Sequence, residues 1–283
     1  MVPAMAIGPD NIDRATVRDF GREWQRFDQS AAPSEEQAQL AEEYFAVFPW
    51  ADLPPNARGF DAGCGSGRWA ALVAPRVGHL HCIDASAEAL EVARRRLGAF
   101  ANISFAEASL DAMPLTDGGM DFGYSLGVLH HLPDPGAGLA ACVAKLKPGA
   151  PMLVYIYYAF DNRPSWFRAL WRASDLLRRA LAGLPFRLKA TITDLIAALV
   201  YWPLARSARF VERMGGDVTH WPLAAYRSLS FYSMRTDALD RFGTRLEHRM
   251  TRAEIAATME AAGLRDIRFS EGTPFWCAVG RKT

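Results

Sequence analysis

The sequence is short of several things. Acidic and basic side chains nearly cancel, with Lys+Arg 32 against Asp+Glu 31. It lacks the basic excess that a dedicated nucleic-acid binder carries. Cysteine is scarce, and Cys64, Cys82, Cys142 and Cys277 stand far apart with no CxxC pair. They read as free buried thiols of a reducing compartment, and a zinc site would need clustered Cys or His. The longest apolar run, Leu195 to Ala205, is about eleven residues and contains Pro203. A bilayer span needs about twenty. Met1 to Pro9 has no basic region leading into an apolar stretch, so no signal peptide is expected. Gly 22 and Pro 17 are too few for a collagenous or disordered chain. No repeat or low-complexity stretch is visible. What remains is a cytoplasmic, globular chain of 283 residues, either one large domain or a domain with an insertion.

What is present begins with helices. Phe20, Trp24 and Phe27 recur every three to four residues, and Leu40, Tyr44, Val47 and Phe48 follow a capping-box spacing at Ser34 and Gln37. From Gly59 the pattern alternates between strands and helices. Strands are expected at 59–62, 79–83, 103–105, 120–126 and 152–158, and helices at 68–77, 86–97 and 136–146. Gly98 is expected to stop the second of these helices as its C′ residue, and 147–149 forms a turn after the third. Thr251 and Glu254 form a second capping box. Its helix ends at Gly263, followed by strands at 264–269 and 275–279. The alternation implies a parallel sheet.

The first strand runs through Asp61-Ala62-Gly63-Cys64-Gly65-Ser66-Gly67 into a helix. Glycines there permit positive φ and a close ligand approach. Strand two ends at Asp84, seventeen residues after Gly67. A carboxylate in that place can accept both hydroxyls of a ribose. The pair reads as a nucleoside site. A dinucleotide fits loosely, since Gly65-Ser66-Gly67-Arg68-Trp69-Ala70 satisfies G-x-G-x-x-A, and an NAD(P)-dependent oxidoreductase stays open on the loop alone. A phosphate loop does not fit, because no Gly-Lys-Ser/Thr follows.

Further runs carry a resemblance. Asp61-x-Gly63-x-Gly65-x-Gly67 resembles the first motif of class I S-adenosylmethionine-dependent methyltransferases, and Asp84-Ala85-Ser86 their ribose motif. Met113-Pro114-Leu115 with Asp117 to Asp121 is similar to the loop before strand four. Most specific is the run from Ser125 through Leu129-His130-His131-Leu132-Pro133-Asp134-Pro135. The likeness covers about 60–158 and 251–282. It implies an α/β, Rossmann-like, seven-stranded, mostly parallel sheet with an N-terminal helical cap (1–57), a core (58–160 and 250–283) and a helical insertion after strand five (161–249). It further implies S-adenosylmethionine as cofactor and a small-molecule acceptor. Asp61, Gly63, Cys64, Gly65 and Gly67 would take the methionine end, Asp84 the ribose, and Ala85 would lie near the adenine. Ser109 stands where many relatives have an adenine-binding aspartate, with the Leu110 N–H beside it. Ser125 and Leu126 would lie along the methionine arm. The cofactor carries no phosphate, so a loop without lysine suits it. Methyl transfer is an in-line displacement governed by positioning, and a base is required only if the acceptor starts protonated.

Candidate catalytic groups are His130 and His131 after strand four, Tyr158 after strand five, and His220 in the insertion. In the family the histidine pair more often shapes the loop than acts as a base. Phe20 to Phe27 resembles an aromatic signature preceding the fold in some small-molecule and glycan-modifying methyltransferases, so Phe20, Trp24 and Tyr157 are candidate lid or substrate residues. No metal ligand set is apparent.

Between Asp161 and Met250 stand 15 Lys/Arg against 8 Asp/Glu, a local net charge of +7. The helix 165–182 places Trp166, Leu170, Ala173, Leu177 and Leu181 on one stripe, with Arg168, Arg172, Arg178 and Arg179 mostly elsewhere. Such an insertion suits a substrate lid with aromatics inward and arginines solvated, a peripheral contact with an anionic membrane, or a homodimer surface in place of a monomer. It favours a bulky apolar or aromatic acceptor methylated at oxygen or nitrogen. No Asn-Pro-Pro-Tyr run follows strand four, so nucleic acid is not expected.

Overall fold

A computed structural model describes residues 11–283, so the leader expectation at Met1 to Pro9 lies outside the described residues. The described residues fall into two compact units. The first runs to Gln25 and takes in Leu40–Ala159 and Leu246–Thr283, and the second comprises Arg26–Gln39 and Phe160–Arg245.

In the first unit, α1 (Arg14–Arg26) and part of α2 (Ser34–Tyr44) precede the sheet. Its strands are β1 (Arg58–Ala62), β2 (His79–Asp84), β3 (Ile103–Glu107), β4 (Phe122–Leu126), β5 (Pro151–Tyr155), β6 (Leu264–Phe269) and β7 (Cys277–Lys282). They are ordered β3-β2-β1-β4-β5-β7-β6, with only β7 antiparallel to its neighbours. The central strands are buried on both faces, which explains why β4 is apolar or small at nearly every position. One core layer gathers Phe60, Ile83, Met152 and Met259, the other Phe48, Leu80, Leu90 and Phe122. Order reverses between β1 and β4, and ligands bind sheets of this kind outside the strand ends at that point.

Caps set the helix starts. The Ser86 side chain accepts from the Ala89 N–H to open α4 (Ala87–Leu97), and Asp134 accepts from Ala137 to open α5 (Pro135–Lys145). The Thr251 and Glu254 capping box opens α10 (Arg252–Ala261), and Gly263 follows at φ +90°. Several expectations need correction. Ser34 lies within α2 rather than ahead of it, and the Gln37 amide donates to the Gln29 and Ala32 carbonyls. The helix at 68–77 shrinks to α3 (Ala70–Val73) and a tighter turn over Ala74–Arg76 that contains Pro75, whose ring has no N–H to donate. Gly98 caps α4 with φ −61°, a right-handed conformation open to any residue. Strand five ends at Tyr155, and Tyr158 pairs with Met250 as an isolated bridge. All four cysteines are free and buried, as expected.

In the second unit, α6 (Ser165–Ala182), α7 (Phe186–Ile196), α8 (Trp202–Arg213) and α9 (Phe231–Gly243) enclose Leu181, Ala197, Tyr201, Ala205, Met234 and Phe242. A π turn at Ala197–Tyr201 joins α7 to α8, giving one helix of 28 residues where the sequence shows an apolar run of only about eleven. By length and composition this helix could cross a bilayer. Its buried side carries a charge, however: Lys189 is buried and donates to the Gly243 carbonyl at 2.9 Å, and Thr193 is buried beside it. Arg178 likewise donates to the Thr244 carbonyl at 2.9 Å while pairing with Asp175 at 2.7 Å. Two cations thus gather at the C-terminal carbonyls of α9, where the helix dipole favours them. Packing of this kind belongs to a folded unit.

The inward stripe expected on α6 is overturned. Trp166 is 52% exposed, and Leu170 and Leu177 are exposed with it, whereas Asp175, Arg178, Leu181 and Ala182 face in. Periodicity located the stripe, but burial went to the paired ions.

Candidate functional site

At the end of β1 the chain turns sharply into α3. Gly63, Gly65 and Gly67 have φ of +83°, +52° and +74°. The Gly63 and Cys64 N–H groups both donate to the Ile83 carbonyl, at 2.8 and 2.9 Å, which ties the loop to β2. A Cβ on Gly63 would sit 2.4 Å from the Val128 side chain. The residues after β4 therefore press directly on the loop.

Asp84 stands at the tip of β2. One carboxylate oxygen accepts the Gly65 N–H at 2.8 Å and the other the Ser86 N–H at 2.9 Å. Burial raises its carboxyl, against the pull of these backbone donors. Each oxygen keeps a second lone pair, so a ribose diol can still be accepted. Asp61, one strand over, is 1% exposed, and its Oδ2 has no hydrogen-bond partner. Burial raises its carboxyl to about 8, the Tyr124 hydroxyl beside it pulls the other way, and the charge of Asp84 pushes it up further. A buried carboxyl oxygen without a partner is costly unless a ligand completes it. Asp61, Asp84 and the positive-φ glycines fit the cationic, phosphate-free cofactor that the sequence resemblance implies. A cation at Oδ2 would discharge the burial cost.

The other expected cofactor residues lie along the same edge. Cys64 is buried beside Cys82, and the hydrogen bond with that neighbour, followed by burial, pushes its thiol well up, so it is inert at neutral pH. The Ser125 hydroxyl is committed to the Ala62 carbonyl at 2.9 Å, leaving backbone and Leu126 as what this strand end presents. Gly127 follows at φ +82°, with open space where a Cβ would stand. Ala85 is half-buried, Leu110 is packed in the core, and the Ser109 hydroxyl lowers the carboxyl of Asp111.

Helix α1 lies against this edge at three points. The Phe20 ring centroid is 4.8 Å from that of His131. A Cβ on Gly21 would meet Ser86 Oγ at 2.5 Å, and a Cβ on Gly65 would meet the Trp24 indole at 2.8 Å. Close approach of α1 thus depends on glycine at both contacts. Gly65→Ala is expected to destabilise the chain by about 1–2 kcal/mol through left-handed strain alone. Adding Trp24→Ala should recover only the steric remainder. Denaturant unfolding of the single and double variants checks this.

His130 and His131 are buried, and burial holds His131 down to about 4 and His130 well below the ordinary imidazole range. His131 Nδ1 lies 2.8 Å from the Leu246 carbonyl, so it carries the proton. His130 Nδ1 accepts the Tyr157 N–H at 3.4 Å, and its ring stacks on Tyr157 with centroids 3.8 Å apart. Tyr158 instead packs on Phe275. His220 is exposed in the second unit, with Nδ1 3.5 Å from Arg163. Sequence reasoning missed Tyr124, and also Glu247 and Arg249. The Arg249 Nε donates to Glu247 at 2.7 Å, and its guanidinium lies 4.9 Å from the Tyr157 ring centroid. No sequence signal marks them, since they reach the cluster only through pairing of Met250 with 157–159 and of the His248 N–H with the His130 carbonyl.

These histidines also predict a pH effect. A group held neutral at about 4 in the folded chain and titrating at 6.5 unfolded stabilises fully above 6.5, and that stability is lost as pH falls toward 4. The unfolding free energy of the wild type relative to His131→Gln is expected to rise by about 3 kcal/mol from pH 4 to 6.5 and then level off.

Comparison with known proteins points to a family. Residues 60–149 match the family described as methyltransferase domain. The chain carries a class I methyltransferase domain, and the cofactor of that class is S-adenosylmethionine. Among curated relatives, the ubiquinone biosynthesis O-methyltransferase of Marinobacter nauticus is 32% identical over 101 residues, covering 34% of this chain and 42% of that protein. An uncharacterized Synechococcus protein is 39% identical over 106 residues, covering 34% and 24%. The matches thus span less than half of these relatives. Among solved structures, a chain from the complex of a Haloferax volcanii methyltransferase activator with a methyltransferase superposes with TM-score 0.52 at 17% identity, covering 94% and 96%. An Aquifex aeolicus S-adenosylmethionine-dependent methyltransferase gives 0.51 at 14%, covering 92% and 96%. Both share the fold.

Proposed function

We propose that this chain transfers a methyl group from S-adenosylmethionine to the oxygen or nitrogen of a small, bulky apolar or aromatic acceptor. The observation that carries the reading is the buried Asp61 carboxyl with its unpartnered Oδ2, beside Asp84 and the glycine turn at the order reversal of the sheet. The bound cofactor supplies an electrophilic methyl on a sulfonium. Asp61 takes the ammonium, Asp84 the ribose, and the loop backbone the carboxylate end. Trp24 and Phe20 exclude water from the edge. His131, with its proton on Nδ1, keeps its lone pair on Nε2 and is the candidate to accept a proton from an acceptor hydroxyl or amine. His130, with Nδ1 engaged by the Tyr157 N–H, holds that loop in place. The O-methyltransferase named among the relatives favours oxygen as the methylated atom. The four free thiols support a reducing, cytoplasmic setting.

Calorimetry with S-adenosylhomocysteine and with NAD(P)H tests the reading. S-adenosylhomocysteine is expected to bind, and binding of the dinucleotide alone would overturn it in favour of an oxidoreductase.

A further inference from the structure

The apolar stripe of α6 has no internal use. Trp166, Ala169, Leu170, Ala173, Leu176 and Leu177 recur at helical spacing and are all exposed, Leu176 by 68%. Arg168, Arg172 and Arg179 are exposed along its flank. The one acidic residue of α6, Asp175, is buried and paired with Arg178 and Arg179, so the exposed charge on this face has a single sign. The helix α7–α8 also exposes apolar and basic side chains, with Glu212 exposed among them and paired with Arg227. Leu188, Leu195, Leu199, Trp202 and Phe210 are exposed, with Arg187, Arg209 and Arg213 exposed among them.

We infer that this face of the second unit docks on the surface of an anionic phospholipid bilayer. Apolar side chains flanked by arginines enter the boundary between headgroups and acyl chains while the guanidinium groups meet lipid phosphates. Tryptophan suits that boundary, having an apolar body and one N–H donor. The buried Lys189, bonded to Gly243, and the buried Arg178–Asp175 pair keep these helices lying on the membrane rather than crossing it. A second copy is a poorer occupant. A two-fold contact would set the three arginines of α6 against the same three.

The test is co-sedimentation of the full chain with phosphatidylcholine vesicles, with and without phosphatidylglycerol. The chain should pellet with the anionic vesicles, more weakly at high salt, and little with phosphatidylcholine alone. Leu170→Glu with Leu177→Glu should abolish pelleting. Arg168→Gln with Arg172→Gln and Arg179→Gln should weaken it by about a hundredfold. Circular dichroism and S-adenosylhomocysteine binding in the same samples show that the variants are folded and keep this inference separable from the catalytic one. Absence of pelleting with anionic vesicles, or pelleting unchanged by both sets of substitutions, overturns it. So does a dimer that the glutamates dissociate, seen by sedimentation velocity in a chain that ignores vesicles.

Discussion

Asp84→Ala is expected to weaken S-adenosylhomocysteine binding by about 1.5–3 kcal/mol, roughly ten- to hundredfold, the range for hydrogen bonds to a charged group. Two losses act together. The ribose loses its acceptor, and the Gly65 and Ser86 N–H groups lose the carboxylate that orders them. Asp84→Asn separates the two. Its one carbonyl oxygen can satisfy one backbone donor, so loop order should be partly kept while affinity still falls. Calorimetry of both variants checks the assignment, and unchanged affinity in the alanine variant would refute it.

The second large effect is on pH. With its carboxyl raised to about 8, Asp61 is mostly protonated at neutral pH in the empty chain. A cation brought against Oδ2 favours the carboxylate and expels that proton. Affinity should therefore rise up to tenfold per pH unit as pH climbs toward about 8, and flatten above it. Proton release shows directly as a binding enthalpy that changes between phosphate and Tris buffers. Asp61→Asn should remove both the buffer dependence and the slope. Stability follows the opposite course. The folded chain holds the Asp61 proton where the unfolded chain, at 3.8, has lost it, so this group's contribution falls as pH rises from about 4 to about 8. A binding enthalpy independent of buffer would place the cofactor's ammonium elsewhere.

Both predictions rest on residues that the sequence picked out, yet their magnitudes came from packing. Asp61 and Asp84 are legible because a glycine turn after one apolar strand and an acid at the tip of the next are local patterns. That Asp61 is buried, with one oxygen unpartnered and Tyr124 beside it, depends on β4 lying next to β1 at the order reversal. The tandem tyrosines show the reverse case. Continued as a strand, they would point to opposite faces. In fact β5 stops at Tyr155, Tyr157 stacks on His130, and Tyr158 turns to Phe275. The Glu247–Arg249 pair was illegible for the same reason, since it reaches Tyr157 from about ninety residues away in sequence.

The sequence alone shows the alternating strands and helices, the turn at Gly63 to Gly67, the acid at Asp84 and the capping box at Thr251. Each of these is settled by side chains within a few residues of one another. It also located the apolar stripe on α6 and the four free thiols. Only the tertiary structure decided which side of α6 is covered. Periodicity shows where apolar side chains line up, but burial is chosen by what packs against the helix. Here the carbonyls at the end of α9 drew Arg178 inward, with Asp175 paired to it. Gathering those ions left Trp166, Leu170 and Leu177 facing out.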